Sequence, residues 1–223
     1  MEPKKLKKPK GIAEFLEKKF PTFEFTEHWL QMFGEPEKNF RMLIKGREKN
    51  GKTTWTLFFT KYLSQFGKVY YNSHEEGISK TLQNAMQACN MLEVAGKVMI
   101  LHKESVEDLE QRLEASGSPR FVVLDSADYM KLTEDQYKKL IHKFPNKSFI
   151  IISWSDTKDE PLSAHAKRIA KRVDIVVTIK NYTVYAKSRF LTEDSPQQQP
   201  HKFDRKGKHT PVTTIQPQQT LFA

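Results

Sequence analysis

Eight residues, Gly46-Arg47-Glu48-Lys49-Asn50-Gly51-Lys52-Thr53, constrain this chain more than any other stretch. They lie between an apolar run at 40–44 and a segment in which Trp55, Leu57, Phe58, Phe59, Tyr62 and Leu63 form an apolar helical stripe. A chain passing from strand to helix through two such glycines can wrap its backbone N–H groups around phosphate oxygens, at a helix end that already favours negative charge. Lys52 then reaches the β- and γ-phosphates and Thr53 offers a hydroxyl to Mg²⁺, with Thr54 behind it in the first helical turn. The segment predicts a site for ATP and Mg²⁺. Its middle, Arg47-Glu48-Lys49, is charged where small residues are more common; this alters the surface of the loop but not its fit.

The same strand–loop–helix grammar continues downstream. Short apolar runs at 40–44, 68–72, 98–101, 121–124, 148–153 and 173–179 alternate with helical segments at about 52–66, 77–92, 105–116 and 133–143. Such alternation implies right-handed βαβ units, hence a mainly parallel sheet with helices on both faces. After Lys180-Asn181-Tyr182 the run 183–190 reads as a strand returning antiparallel, a C-terminal hairpin. Upstream, Ile12, Phe15, Leu16 and Phe20 recur at helical spacing before Pro21, and Phe23, Phe25, Trp29 and Phe33 predict a segment packed on the main domain. Three parts are therefore expected: a basic arm and helical lead at 1–39, an ATPase core at 40–191, and a disordered tail at 192–223 rich in Pro, Gln and charge.

Length and charge set bounds. A chain of 223 residues holds one full-sized α/β domain. It contains no apolar run long enough to span a bilayer and its front lacks a secretory h-region, so a cytoplasmic setting away from membranes is expected. Cys89 is the single cysteine, which excludes an intramolecular disulfide and multi-cysteine metal sites. The net charge of +10 favours polyanionic partners such as nucleic acid, and equally aids solubility.

Acidic residues at strand ends supply the remaining chemistry. The run FVVLD closes on Asp125, placed to hold the water shell of a Mg²⁺ at the phosphate loop, with Ser126 as its second, while Asp128 is read as part of the following turn. The strand at 68–72 runs into Ser73-His74-Glu75-Glu76, where a carboxylate can polarise an attacking water. Acids drawn to a helix N-terminus by its dipole give the same pattern.

Taken in order, GREKNGKT, VYYNSHEEG, FVVLDS and the stretch FIIISWSDTKDEPLSAHAKRIAKRVDIVVTIKNYTVYAKSRF resemble the RecA-like P-loop ATPases, in particular their RadA/Sms and DnaB-helicase branch, over roughly residues 28 to 191. The resemblance implies ATP hydrolysis with Glu75 as catalytic base, Glu76 close behind, and Asp125 as the second acidic motif. Lys187-Ser188-Arg189-Phe190 resembles the family's K-N-R-F phrase, with Ser in place of Asn. This implies that Lys187 and Arg189 reach the γ-phosphate of a neighbouring subunit in a homo-oligomer. The segment 153–172, with Lys158, Lys167, Arg168, Lys171 and Arg172, corresponds to a DNA-contacting region, which implies single-stranded DNA as partner in replication, recombination or repair. On the residues alone it is equally the exposed side of a helix. DnaB-like members carry a glutamine sensor at this strand end, and here the sequence departs to Ser153-Trp154-Ser155-Asp156. The paired glutamates also resemble the KaiC type of signalling ATPase, and a nucleotide-dependent switch or loader is a further alternative.

The chain ends Gln218-Gln219-Thr220-Leu221-Phe222-Ala223. A Gln followed by Leu-Phe on a flexible tail resembles the short motif by which bacterial replication proteins bind the sliding clamp, apolar anchors entering a pocket while the linker gives reach.

Overall fold

A computed structural model describes residues 8–192, 195 and 199–212. Among these residues nine strands form one sheet in the order β3-β2-β4-β5-β1-β6-β7-β8-β9. The strands β1 (Arg41–Gly46), β2 (Val69–Ser73), β3 (Val98–His102), β4 (Phe121–Asp125), β5 (Ser148–Trp154) and β6 (Ile175–Lys180) are mutually parallel. β7 (Thr183–Ser188) turns back against β6, and β8 (His201–Phe203) and β9 (His209–Pro211) continue the antiparallel run. The α/β class, the parallel sheet and the terminal hairpin expected from the sequence are all present.

The helices divide between the two faces because each central strand is apolar on both. Met42, Ile44, Tyr71, Phe121, Val123, Ile150 and Ile152 face one core, shared with Trp29 and Phe33 of α2 (Glu27–Phe33) and with Trp55 and Phe59 of α3 (Lys52–Leu63). Leu43, Val122, Leu124, Phe149 and Ile151 face the other, covered by α5 (Val106–Glu114), α7 (Glu134–Lys143) and α8 (Ala164–Ala170). Strand residues alternate strictly between these cores, as the period of two requires. The 23–33 segment lies inside the first core, with Phe23, Phe25 and Trp29 buried, so residues on both sides of position 39 share one packing unit.

Several boundaries shift. The helix expected at 77–92 divides into α4 (Lys80–Ala88), capped by the Ser79 hydroxyl, and a 3₁₀ turn at Met91–Val94. The helix expected from Ile12 to Phe20 is shorter, α1 (Ile12–Leu16), and buries no side chain. A short α6 (Ala127–Met130) follows β4 directly.

The tail differs more. Residues 201–211, expected to be disordered, form the β8–β9 hairpin. Its Phe203 is buried against Tyr182 and stacks on His209, while His201 is 2% exposed. Ring packing holds a segment whose polar composition pointed to disorder, because a few well-placed rings bury enough surface to order two three-residue strands. The clamp-like residues Gln218 to Phe222 lie outside the described residues, as does most of the basic arm.

Candidate nucleotide site

Parity places the site. Gly46, Ser73, Asp125 and Trp154 continue the alternation of Ile44, Tyr71, Val123 and Ile152, so all four fall on the face that carries α3. β5 alone lies between β1 and β4, and β4 and β5 lie between β1 and β2, so the phosphate loop and the acidic strand ends are neighbours in the sheet. All lie at its C-terminal edge, the edge at which open parallel sheets hold ligands in a cleft.

The loop is shaped by close approach. A Cβ added at Gly46 would lie 2.5 Å from the Ile179 carbonyl oxygen. Gly51 has φ of 94°, and a Cβ there would meet the Tyr182 ring at 2.9 Å. No other residue type fits either place without displacing backbone or ring. The tip of the β6–β7 hairpin clasps the loop: Asn181 N–H donates to Asn50 Oδ1 (2.6 Å) and Tyr182 N–H to the Asn50 carbonyl (3.2 Å). Arg47, Glu48 and Lys49 stand exposed at the apex.

Lys52 is buried, and its ammonium donates to the Arg47 carbonyl at 3.0 Å. Burial pushes its pKa down, against the opposing pull of Glu75, Asp125, Asp128 and Glu48. Thr53 and Thr54 occupy the first turn of α3, where helix N–H groups have no carbonyl one turn back to pair with.

Opposite the loop, Asp125 is 4% exposed and accepts a 2.5 Å hydrogen bond from the Tyr71 hydroxyl. Burial lifts its carboxyl to about 7; the Tyr71 bond opposes this, the Glu75 and Glu76 charges add to it, and Lys52 counters in part. Such a carboxyl is under-compensated in charge, which suits a cation. Among the described residues, the hydroxyls of Ser73, Ser126 and Ser155 and Asp128 Oδ1 are buried with no hydrogen-bond partner. These unsatisfied oxygens, at or just past the ends of β2, β4 and β5, fit a hydrated Mg²⁺ and the phosphates it would accompany.

Glu75 and Glu76 follow β2, and the Glu75 N–H donates to the Asp125 carbonyl at 3.0 Å, with the His74 N–H on the same oxygen. Glu75 Oε2 accepts the Trp154 indole N–H at 2.9 Å. Glu76 Oε2 accepts instead from the Ser79 hydroxyl at 3.4 Å, which directs it toward the α4 cap. Of the two acids, Glu75 is the one tied to the cleft.

Lys187 and Arg189 are not brought to this cleft. Lys187 pairs with Val176 and Ser188 with Ile175 at the start of β6, at the opposite end of the sheet from the loop. Arg189 is exposed there and forms an ion pair with Asp174 at 3.2 Å. The basic segment resolves as a helix. Arg172 and Arg168 of the α8 region bond Glu134 of α7 at 2.7 and 3.9 Å, leaving Lys158, Lys167 and Lys171 as exposed cations.

Three residues at the site escape a reading by motif. Trp154 touches Glu75 and Lys52, Tyr71 touches Asp125, and Asp128, read as part of a turn, in fact lies in α6 and accepts the Trp154 backbone N–H at 2.8 Å. Strand parity was the available signal for Trp154 and Tyr71; Asp128 had none, since its helix is four residues long.

No protein-family model matches this chain, and no curated protein does. Solved structures do. The flagellar accessory protein FlaH from Methanocaldococcus jannaschii superposes with a TM-score of 0.59 at 12% identity, covering 88% of this chain and 100% of that one. A KaiC-like protein from Pyrococcus horikoshii superposes with a TM-score of 0.60 at 18% identity, covering 82% and 95%. The chain has the RecA-like P-loop fold. At these identities the likeness concerns the RecA-like fold alone, and the chemistry rests on the residues described above. Among the described residues, no helix is long and apolar enough to cross a membrane.

Proposed function

We propose that this chain binds Mg²⁺·ATP and hydrolyses it as an oligomeric RecA-like motor on DNA. The observation that carries the catalytic part is the convergence of Lys52, Glu75 and Asp125 on one cleft from three different strand ends. In this reading residues 46–53 wrap the phosphates, Lys52 exchanges the Arg47 carbonyl for phosphate oxygens, and Thr53 and Asp125 hold the metal. Bound Mg²⁺ supplies neutralisation of charge on the β- and γ-phosphates. Glu75 takes a proton from water as the water oxygen bonds to the γ-phosphorus; the bond from that phosphorus to the β–γ bridging oxygen breaks, and ADP and phosphate leave. Lys187 and Arg189, remote from their own loop, serve the site of a neighbouring copy, where a guanidinium stabilises charge on the transferring group.

Support for DNA comes from the net charge of +10 and from the exposed lysines at 158, 167 and 171. Contacts of that kind track a phosphate backbone without reading sequence and weaken with salt. A second reading, a nucleotide-driven regulatory ATPase of the KaiC type, draws support from the KaiC-like neighbour and from the Arg168 and Arg172 charges being committed to Glu134.

One experiment separates them: ATP turnover at several protein concentrations, with and without single-stranded DNA, at two salt levels. The motor reading expects a DNA-stimulated rate that rises with concentration and loses its stimulation at high salt. A rate indifferent to DNA at both salts favours the regulatory ATPase. Lys52→Ala is expected to lower nucleotide affinity or turnover by about 100-fold in either case, through loss of a charge-assisted contact.

A further inference from the structure

The indole of Trp154 stands between the two charged arms of the cleft. Its N–H donates to Glu75 Oε2 at 2.9 Å, and its ring lies 5.7 Å from the Lys52 ammonium, within range of cation–π attraction. The side chain itself is firmly seated. Its backbone N–H donates to Asp128 Oδ2 at 2.8 Å, its carbonyl accepts from the Leu162 N–H at 3.0 Å, and Tyr129 packs edge-on at 5.7 Å. Register sets it beside Gly46, the first residue of the phosphate loop. One rigid aromatic therefore touches the phosphate-side cation with its face and the acid with its edge.

The bond to Glu75 uses one carboxylate oxygen. Among the described residues Glu75 Oε1 accepts no hydrogen bond, so the indole fixes the carboxylate in one orientation while leaving an oxygen open to a water. The Lys52 contact adds a second link. In the structure Lys52 is held by its own loop, and an arriving triphosphate offers it stronger acceptors. Any movement of the ammonium changes the electrostatic environment of the ring that anchors Glu75.

We propose that Trp154 is a positioning residue for the Glu75 carboxylate, and that its ring senses the state of Lys52 and so reports nucleotide arrival to the acid. This rests on the reading of Glu75 as the base. Trp154 acts through Glu75, touching no reacting atom, so removing its N–H lowers kcat while nucleotide affinity barely changes.

The test compares wild type, Trp154→Phe, Glu75→Gln and the double variant, all as full chains. Phenylalanine keeps an aromatic face for Lys52 and removes only the donor. Trp154→Phe is expected to lose about tenfold in kcat, the worth of one hydrogen bond to a charged group, with KM within about twofold. Because the effect passes through Glu75, the same substitution in the Glu75→Gln background is expected to cost less than about twofold. A second readout needs no turnover. Trp29 and Trp55 are buried in the aromatic core, so an emission change on adding ADP or a non-hydrolysable ATP analogue is expected in wild type and absent from Trp154→Phe. An undiminished emission change in Trp154→Phe overturns the sensing role. An unchanged kcat, or an equal loss in both backgrounds, overturns the positioning role. A Glu75→Gln variant with wild-type turnover fails the underlying base assignment instead, and is distinguished by leaving the emission result intact. Coincident thermal melts of wild type and Trp154→Phe exclude a folding defect as the cause of any loss.

Discussion

The parallel and antiparallel parts of this sheet are built on different physics. Strands β1, β2, β4 and β5 are largely buried on both faces, and the groups of the candidate cleft follow the C-terminal ends of these strands. Strands β7 to β9 are half polar, β8 and β9 being three residues each; ring packing at Tyr182, Phe203 and His209 holds them, and among the described residues they bring no side chain of their own to the acidic groups. What they do is brace: Tyr182 and Phe203 abut Gly51, and the β8–β9 turn lies on Phe58 of α3. The proposed chemistry thus falls in the half whose position the core dictates, and the added half packs against the loop.

Arg189 is the sharpest challenge to that division, since it and Lys187 are the antiparallel-side residues with a proposed chemical role, and the guanidinium is the group assigned to the transferring phosphoryl. If it completes a neighbour's site, Arg189→Ala lowers turnover by about 10³-fold or more while nucleotide binding persists. Turnover assayed across a dilution series, beside equilibrium nucleotide binding, decides it. Normal turnover at every dilution leaves Arg189 as the surface partner of Asp174 and makes the division complete.

Phe203→Ala probes the brace. Truncating a buried phenyl costs about 3 kcal/mol of stability, read by denaturant unfolding. Turnover of the folded fraction is expected to fall only a few-fold. A loss as deep as that of Lys52→Ala would mean that the extension shapes the site directly.

The smallest effect concerns pH. His28, His201 and His209 meet where α2 touches β8 and β9, with the His28 and His209 rings stacked at 4.0 Å. His28 Nε2, His201 Nδ1 and both nitrogens of His209 have no hydrogen-bond partner. Burial is the main cause that lowers all three pKa values, His28 from 6.5 to about 4 and His209 from 6.5 to about 3, and the proximity of other imidazoles adds to it for those two. The unfolded segment therefore binds protons that the folded one refuses. The stability of this corner is full above pH 6.5 and is lost as pH falls through about 4 and then about 3. Amide protection factors in 201–211, referenced to the intrinsic exchange rate at each pH, are expected to fall on acidification before those in β1 or β4 do; a simultaneous fall contradicts a separately held extension.

The same contrast explains what the sequence made legible. Residues 46–53 and the apolar runs announce themselves because a phosphate loop and a doubly buried strand each demand particular residue types. Glu75 and Asp125 were readable as strand-end acids. Trp154 and Tyr71 were not, because their roles come from which face of a strand they share with α3, and parity becomes meaningful only once the helix is placed. The β8–β9 hairpin was hidden by composition: two rings and a histidine contact order a highly charged stretch flanked by glutamines and prolines that indicate the reverse. α8 shows the opposite case, where a basic run open to two readings became a helix because Ala166 and Ile169 are buried and Ser163 caps it.

The central claim is that the cleft hydrolyses ATP with Glu75 as its base. Glu75→Gln keeps the shape and a hydrogen-bonding oxygen for Trp154 while removing the basic charge. Measured side by side, ATP affinity is expected to stay within about threefold of wild type and single-turnover hydrolysis to fall by about 10²–10⁴-fold, the usual contribution of a general base. Hydrolysis at the wild-type rate by a Glu75→Gln protein that binds ATP normally would contradict the account.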